Sequence, residues 1–396
     1  MRRLFLKFAS FVPIVLLVAA VNRSIDPARF YGTHFLDPSR DRYEGTVIDN
    51  LLAGRSQTLV GPYNEPLVHE AVFRAKRPID VLILGSSVAK AINSDSFPGQ
   101  HVYNGSISAY ELEEAAAVYQ LAWEAGRRPK RVVLEFHGHE LGPRGWDILP
   151  ELAPVMLRVR KRLGLPTDAE SKLMQFAENI RPDKQSTATQ FTAEQGWLHP
   201  YDKLFSVRYF QFCLRSLGTA RPEEKPPTAG IGKKAMQPAE ERQVLCPDGS
   251  VLWSRQWLSH TPKQIRQRLQ IEGFKAAVSN RATLFPGRCR LFDAWMTDLE
   301  QSGTQIELVL VPPFPAAADR MRTFYEQVQR HYPVADCESY LRSFAAKHRL
   351  QIDGSLDPHR AGVTEDEYVD YIHMRREGIG RLMARGKTER EAENER

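Results

Sequence analysis

Two short stretches at opposite ends of the chain hold the residue types that acyl chemistry needs. Gly85-Ser86-Ser87 follows the apolar run from Ile79 to Leu84. A glycine before a serine in a strand-to-helix turn lifts the hydroxyl out of a sheet, and the helix N-terminus beneath favours developing negative charge. The same serines would also serve as plain helix caps. Near the other end stands Asp370-Tyr371-Ile372-His373, with Gly378 beyond it. An Asp three residues before a His holds the imidazole by its Nδ1–H and leaves Nε2 to take a serine proton. A serine, a histidine and a carboxylate in one α/β domain point to nucleophilic acyl chemistry. Asp357-Pro358-His359 is a rival pair that reads as a turn, and Asp353 and Glu365 to Glu367 read as solvated. Cys213, Cys246, Cys289 and Cys337 show neither CxxC nor metal-ligand spacing. Neither a metal nor a cofactor is expected. Four cysteines allow three disulfide pairings, or four buried thiols.

The elements that must position these residues read as an α/β core split by a long insertion. Ile79 to Gly85 is a buried strand of the kind found in parallel sheets, and His101 to Asn104 is a shorter one. Leu112, Ala115, Ala116, Tyr119, Ala122 and Trp123 recur at helical spacing before a third strand at Arg131 to Phe136. Strand, helix, strand at this spacing predicts a parallel sheet. From Pro143 to Phe285 that rhythm breaks. This stretch holds the aromatic cluster Trp197, Tyr201, Phe205, Tyr209 and Phe210 and the Pro/Gly/Lys-rich Arg221 to Pro238. It reads as a mainly helical cap over the sheet's functional edge, its aromatics lining a sugar platform or packing a core. The rhythm then resumes with a helix at Leu291 to Leu299 and a strand at Gln305 to Val311. Helices at Met321 to His331 and Cys337 to His348, a short strand at Leu350 to Ile352 and a closing helix at Met374 to Met383 follow.

The first residues set the compartment. Arg2, Arg3 and Lys7 flank the apolar stretch Leu4 to Val21, long enough at 1.5 Å per residue to reach roughly 27 Å. This reads as an uncleaved signal anchor, with Val18-Ala19-Ala20 as an alternative cleavage site. The basic N-terminus places the remainder on the extracytoplasmic side of the inner membrane, in the periplasm. The 396 residues, 42% hydrophobic and 26% charged, exclude a disordered, collagen-like or polytopic membrane protein. A net charge of +6 with no long Lys/Arg block gives no nucleic-acid footprint. The expected organisation is an anchor at 1–23, a stalk at 24–65, core at 66–142, insertion at 143–285, core again at 286–385 and a disordered tail at 386–396.

Four stretches fall in the order and strand context of the blocks of the SGNH/GDSL hydrolase superfamily, which the chain therefore resembles. They are Gly85-Ser86-Ser87, Asn104-Gly105-Ser106-Ile107-Ser108, Gly138-His139-Glu140 and Asp370-x-x-His373. The resemblance implies a flavodoxin-like three-layer α/β/α fold with Ser87 as nucleophile, His373 as general base and Asp370 as its orienting carboxylate. It implies oxyanion donors at Ala109, at Gly105 and at His139, with His137 the alternative to His139. Two departures stand out: Ala109 replaces the family's glycine, and His139 replaces its asparagine. The anchor, the upstream Asn64-Glu65 and the altered third block resemble, more narrowly, the anchored SGNH-like proteins of envelope polymer acylation. These are the D-alanyl transfer proteins of teichoic acid and the O-acetylation proteins of alginate. That likeness implies an envelope or exported polysaccharide substrate and a membrane-bound O-acyltransferase as partner. It also implies either ester hydrolysis or O-acyl transfer, with a catalytically weak glycan-binding or assembly subunit as the alternative.

Overall fold

The computed structural model describes residues 13–14, 16–21, 38–60, 63–108, 111–142, 149, 151–166, 242–272, 284–327 and 332–394. Its centre is a five-stranded sheet of β2 (Val81–Leu84), β3 (Val102–Asn104), β4 (Arg131–Phe136), β7 (Gln305–Leu310) and β8 (Gln351–Gly354). All neighbours pair in parallel, in the order β3-β2-β4-β7-β8. Counted within the sheet this is 2-1-3-4-5, a doubly wound order that reverses between β2 and β4. Ligands bind at such a reversal, beyond the carboxyl ends of the strands.

The continuous apolar runs follow from burial on both faces. Leu82, Leu84, Val132, Leu134, Phe136, Leu308 and Leu310 point to one side, into a core built with α2 (Glu65–Arg74), α3 (Leu112–Glu124), α4 (Ala153–Arg162), α7 (Pro286–Gln301) and α9 (Pro333–His348). Val81, Ile83, Val133 and Val309 point to the other, against α6 (Pro262–Glu272), α8 (Pro315–Gln327) and α11 (Arg376–Asn394). The molecule is thus a sheet between two helical layers.

Several sequence expectations shift. The segment expected as a stalk contains α1 (Pro38–Leu52), whose Val47 and Leu51 are buried in the first core. It also contains β1 (Gln57–Thr58), which pairs with β5 (Val244–Leu245) in a small antiparallel sheet completed by β6 (Val251–Leu252). Its apolar residues are spaced for a helix face, and the core supplies the surface they cover. The tail expected to be disordered is helical through Asn394 as the continuation of α11. Asp353 and Glu367 are buried rather than solvated. Asp353 accepts a hydrogen bond from Gln351 at 2.8 Å, and Glu367 closes a capping box with Thr364.

Of the expected anchor, residues 13–14 and 16–21 are described and are helical, with Ile14, Leu16 and Leu17 exposed. Among the described residues no helix is long and apolar enough to cross a membrane. Cys246, Cys289 and Cys337 are free thiols. Cys213, the aromatic cluster at 197–210 and the segment 221–238 lie outside the described residues.

Candidate active site

The chain leaves β2 through a turn that only this sequence of small residues fits. A Cβ at Gly85 would stand 2.7 Å from Glu135 Cβ and 2.8 Å from Ala89 Cβ, so the position has no room for a side chain. Ser86 is buried and faces inward: its N–H donates to Glu135 Oε2 at 2.8 Å and its Oγ accepts from Val88 N–H at 3.0 Å. Ser86 thus closes the turn onto Val88, and the short 3-10 helix that follows, Ala89–Ala91, has no side-chain cap. Ser87, one residue on, is left partly exposed with its hydroxyl turned to the sheet's carboxyl edge.

There it meets a residue 286 positions away: Ser87 Oγ lies 2.7 Å from His373 Nε2. His373 Nδ1 lies 2.8 Å from Asp370 Oδ2. The carboxylate acceptor places the proton on Nδ1, which leaves the Nε2 lone pair for the Ser87 hydroxyl. Asp370 also orders its own loop, because Oδ1 accepts the backbone N–H groups of Ile372 at 2.7 Å and His373 at 2.6 Å. Burial alone would raise the Asp370 carboxyl. The hydrogen bonds and charge of His373, with the two backbone donors, outweigh burial and hold it below its ordinary value. The loop is tied to the sheet through Tyr368, whose hydroxyl donates to the carbonyl oxygens of Pro312 and Pro313 just past β7.

The expected oxyanion donors fare differently. Gly105 is excluded: its N–H donates to the Ile83 carbonyl at 2.8 Å, continuing the ladder past β3. Ala109 lies outside the described residues. His139 sits on the loop after β4, partly exposed, with Nδ1 3.5 Å from Glu140 Oε1. The loop is held by the buried Glu140 carboxylate, which accepts the N–H groups of His137, Gly138 and His139 at 2.9 to 3.0 Å. His137 Nδ1 lies 3.3 Å from the Val311 carbonyl. Burial pushes the His137 pKa down to about 4, so the ring is neutral and its one N–H is already given to Val311. That leaves His137 Nε2 an acceptor and removes it as an oxyanion donor. The backbone N–H of Ser87 itself has no acceptor among the described residues and stands at the nucleophile.

A buried ion pair fixes the neighbouring block. Lys90, in the turn after Ser87, reaches Glu65 at 2.5 Å and Ser108 Oγ at 2.7 Å, and Glu65 Oε2 accepts the Ser108 N–H at 2.6 Å. Asn64 caps α2 by accepting the Leu67 N–H at 3.0 Å. Asn64-Glu65 thus ties α2 to the loops around the nucleophile. Asp357 and His359 form no carboxylate–imidazole pair: Asp357 binds Arg322 at 2.9 Å and caps α10 (Pro358–Ala361) by accepting the His359 N–H, while the exposed His359 ring meets Asp319 at 2.9 Å.

Sequence reading missed the residues that roof the site. Trp253 and Trp257 stack at 5.3 Å with planes 7° apart, and His373 lies 4.9 Å from the first ring and 6.0 Å from the second. They are delivered by the β5–β6 hairpin and by α5 (Arg255–Leu258). The hairpin tip packs on β3, where Asn104 N–H donates to the Asp248 carbonyl at 2.6 Å. Gly249 has φ +77° there, and a Cβ would collide with the Asn104 carbonyl. The signal was present: Pro247-Asp248-Gly249 between Val244-Leu245 and Val251-Leu252 is a hairpin turn followed by an aromatic residue. The chain matches no protein-family model, and neither a curated protein nor a solved structure is significantly similar to it.

Proposed function

We propose that the protein is an SGNH-type serine esterase or O-acyltransferase acting on acyl esters, acetyl esters in the first place, of a cell-envelope or exported polysaccharide. The observation that carries this reading is the unbroken chain from Ser87 Oγ through His373 to Asp370, at the carboxyl edge of a parallel sheet where its strand order reverses. The exposed Ile14, Leu16 and Leu17 on a helical N-terminal stretch support attachment to the inner membrane, and the basic Arg2 and Arg3 before it support a site on the periplasmic side.

In the forward step Ser87 Oγ attacks the acyl carbonyl carbon as His373 Nε2 takes the hydroxyl proton. Asp370 holds the resulting imidazolium. The Ser87 N–H faces the developing oxyanion. His373 then returns the proton to the departing sugar oxygen as the C–O bond breaks, leaving an ester on Ser87. A second hydroxyl, from water or from a sugar, gives up its proton to His373, attacks that ester and carries the acyl group away while Ser87 regains its proton. Hydrolysis and transfer use the same residues and differ in the acceptor.

A second reading, a catalytically weak glycan-binding or assembly partner of a membrane-bound O-acyltransferase, is favoured by the spent Gly105 N–H and by the histidine at 139. Covalent labelling with a fluorophosphonate separates the two. The enzyme reading expects labelling of the wild type that disappears in Ser87→Ala and His373→Ala proteins with unchanged melting temperatures. A folded wild type that never labels at Ser87 sinks the enzyme reading and leaves the second.

A further inference from the structure

We propose that Trp253 is a positioning residue for the general base, its ring face holding and stabilising the His373 imidazolium that forms each time the nucleophile is deprotonated. This rests on the reading of Ser87 and His373 as a working pair. His373 is confined on three sides. Ser87 Oγ lies at 2.7 Å on Nε2 and Asp370 Oδ2 at 2.8 Å on Nδ1, while the Trp253 ring centroid stands 4.9 Å away at a tilt of 56°. A cation within about 6 Å of an indole centroid is attracted by the ring's negative face, most strongly where water is excluded. Both partners meet the second condition: Trp253 is 6% exposed and the His373 side chain 14%.

The buried Trp253 Nε1–H finds no acceptor among the described residues, so the ring is not placed to satisfy its polar end. Stacking on Trp257 fixes its plane. The segment that carries the pair is bound to the histidine loop at two points. His260 Nδ1 lies 2.8 Å from the Val369 carbonyl, and the Arg375 guanidinium donates to the His260 carbonyl at 3.2 Å. The ring and the imidazole are therefore carried by segments hydrogen-bonded to each other.

Among the described residues, Asp370 on its own loop and His137 from the loop after β4 act on His373, and Arg375 and His260 lie on the segments bound around it. His137 is neutral above about pH 4 and so contributes no positive charge in the working range. Asp370 remains in every variant below, so a change in the His373 titration on altering Trp253 reports the ring.

The test uses the full-length protein with p-nitrophenyl acetate as probe ester. Histidine labelled with 13C gives a direct NMR titration of His373, assigned by its loss in His373→Ala. Trp253→Leu is expected to lower kcat about tenfold with KM little changed. It should also lower the His373 titration midpoint by about half to one pH unit, and the acid limb of the kcat/KM profile should move with it. Trp253→Phe, which keeps a ring face, is expected to recover most of both. Leu at 253 leaving the titration midpoint where the wild type has it overturns the proposal, as does a Phe variant as impaired as the Leu variant. The NMR titration is repeated in a Ser87→Ala background. A midpoint shift there upholds the Trp253 contact even if the wild type turns over no ester, an outcome that would remove the enzymatic reading instead.

Discussion

Two carboxylates near the serine turn, Asp370 partly exposed and Glu135 fully buried, behave in opposite ways. Asp370 accepts two backbone N–H groups and the imidazole N–H, and is held below its ordinary pKa despite its burial. Glu135, in the middle of the sheet, accepts one donor at Oε2, the Ser86 N–H, while its buried Oε1 has no partner among the described residues. Burial first, and then the nearby Glu140 carboxylate, push Glu135 up to about 8. Burial raises both acids; the neighbouring histidine and two backbone donors reverse it for Asp370, while a second carboxylate adds to it for Glu135. The surroundings of one carboxylate favour its charged form beside an imidazole; those of the other favour its protonated form, and it accepts the turn's N–H.

The comparison breaks most visibly in catalysis. Asp370→Asn keeps the shape and removes the charge, and is expected to lower kcat about ten-thousandfold, whereas Glu135→Gln, already neutral where it stands, should leave kcat within a few-fold of wild type. Steady-state hydrolysis of a p-nitrophenyl ester reads both, and equal losses would erase the distinction. Next in size is Gly85→Ala. Its Cβ is forced against Glu135 Cβ at 2.7 Å and Ala89 at 2.8 Å, and overpacking of this kind costs about 1–3 kcal/mol. Urea denaturation measures it, and an unchanged midpoint would show that the turn has slack.

The smallest effects lie in the pH dependence of stability, and they sharpen the contrast by sign. Glu135 has a folded pKa above its ordinary 4.5, so between about 4.5 and about 8 the folded state binds more protons than the unfolded one. Its contribution to stability is greatest near pH 4.5 and falls as pH rises to about 8. Glu135→Gln is expected to flatten that slope in urea melts. His137 and His69, both depressed by burial to about 4, act on the other side. Their unfolded forms take up protons near the ordinary 6.5, so stability falls as pH drops from 6.5 toward 4. Asp370, with its lowered value, adds stability above about 3.8 that is lost as pH falls through its folded pKa. A His137→Gln protein whose acid limb is as steep as wild type would remove that assignment.

The legible part of the molecule was local. The strands could be placed because residues buried on two faces must be apolar without interruption, as in Val81 to Leu84 and Val132 to Leu134. Asp370-x-x-His373 was legible because the carboxylate reaches both the ring and the backbone of a residue three positions on, within one loop. α1 was read as a stalk because a helix of mixed composition reveals its partner surface only in three dimensions. The Trp253–Trp257 roof was missed for the same reason: the hairpin is short, and its significance lies in docking on β3 beside residues more than a hundred positions earlier.

By itself, then, the sequence determined the strand-rich α/β core, the Gly-Ser-Ser turn and the histidine loop, because backbone stereochemistry and contacts of a few residues fix all three. Only the tertiary structure decided which serine closes the turn and which faces the histidine. It alone withdrew Gly105 from the oxyanion site, pushed the Glu135 carboxyl up and set an indole against the base. Each of those depends on burial and on partners far away in the chain, which no window of sequence contains.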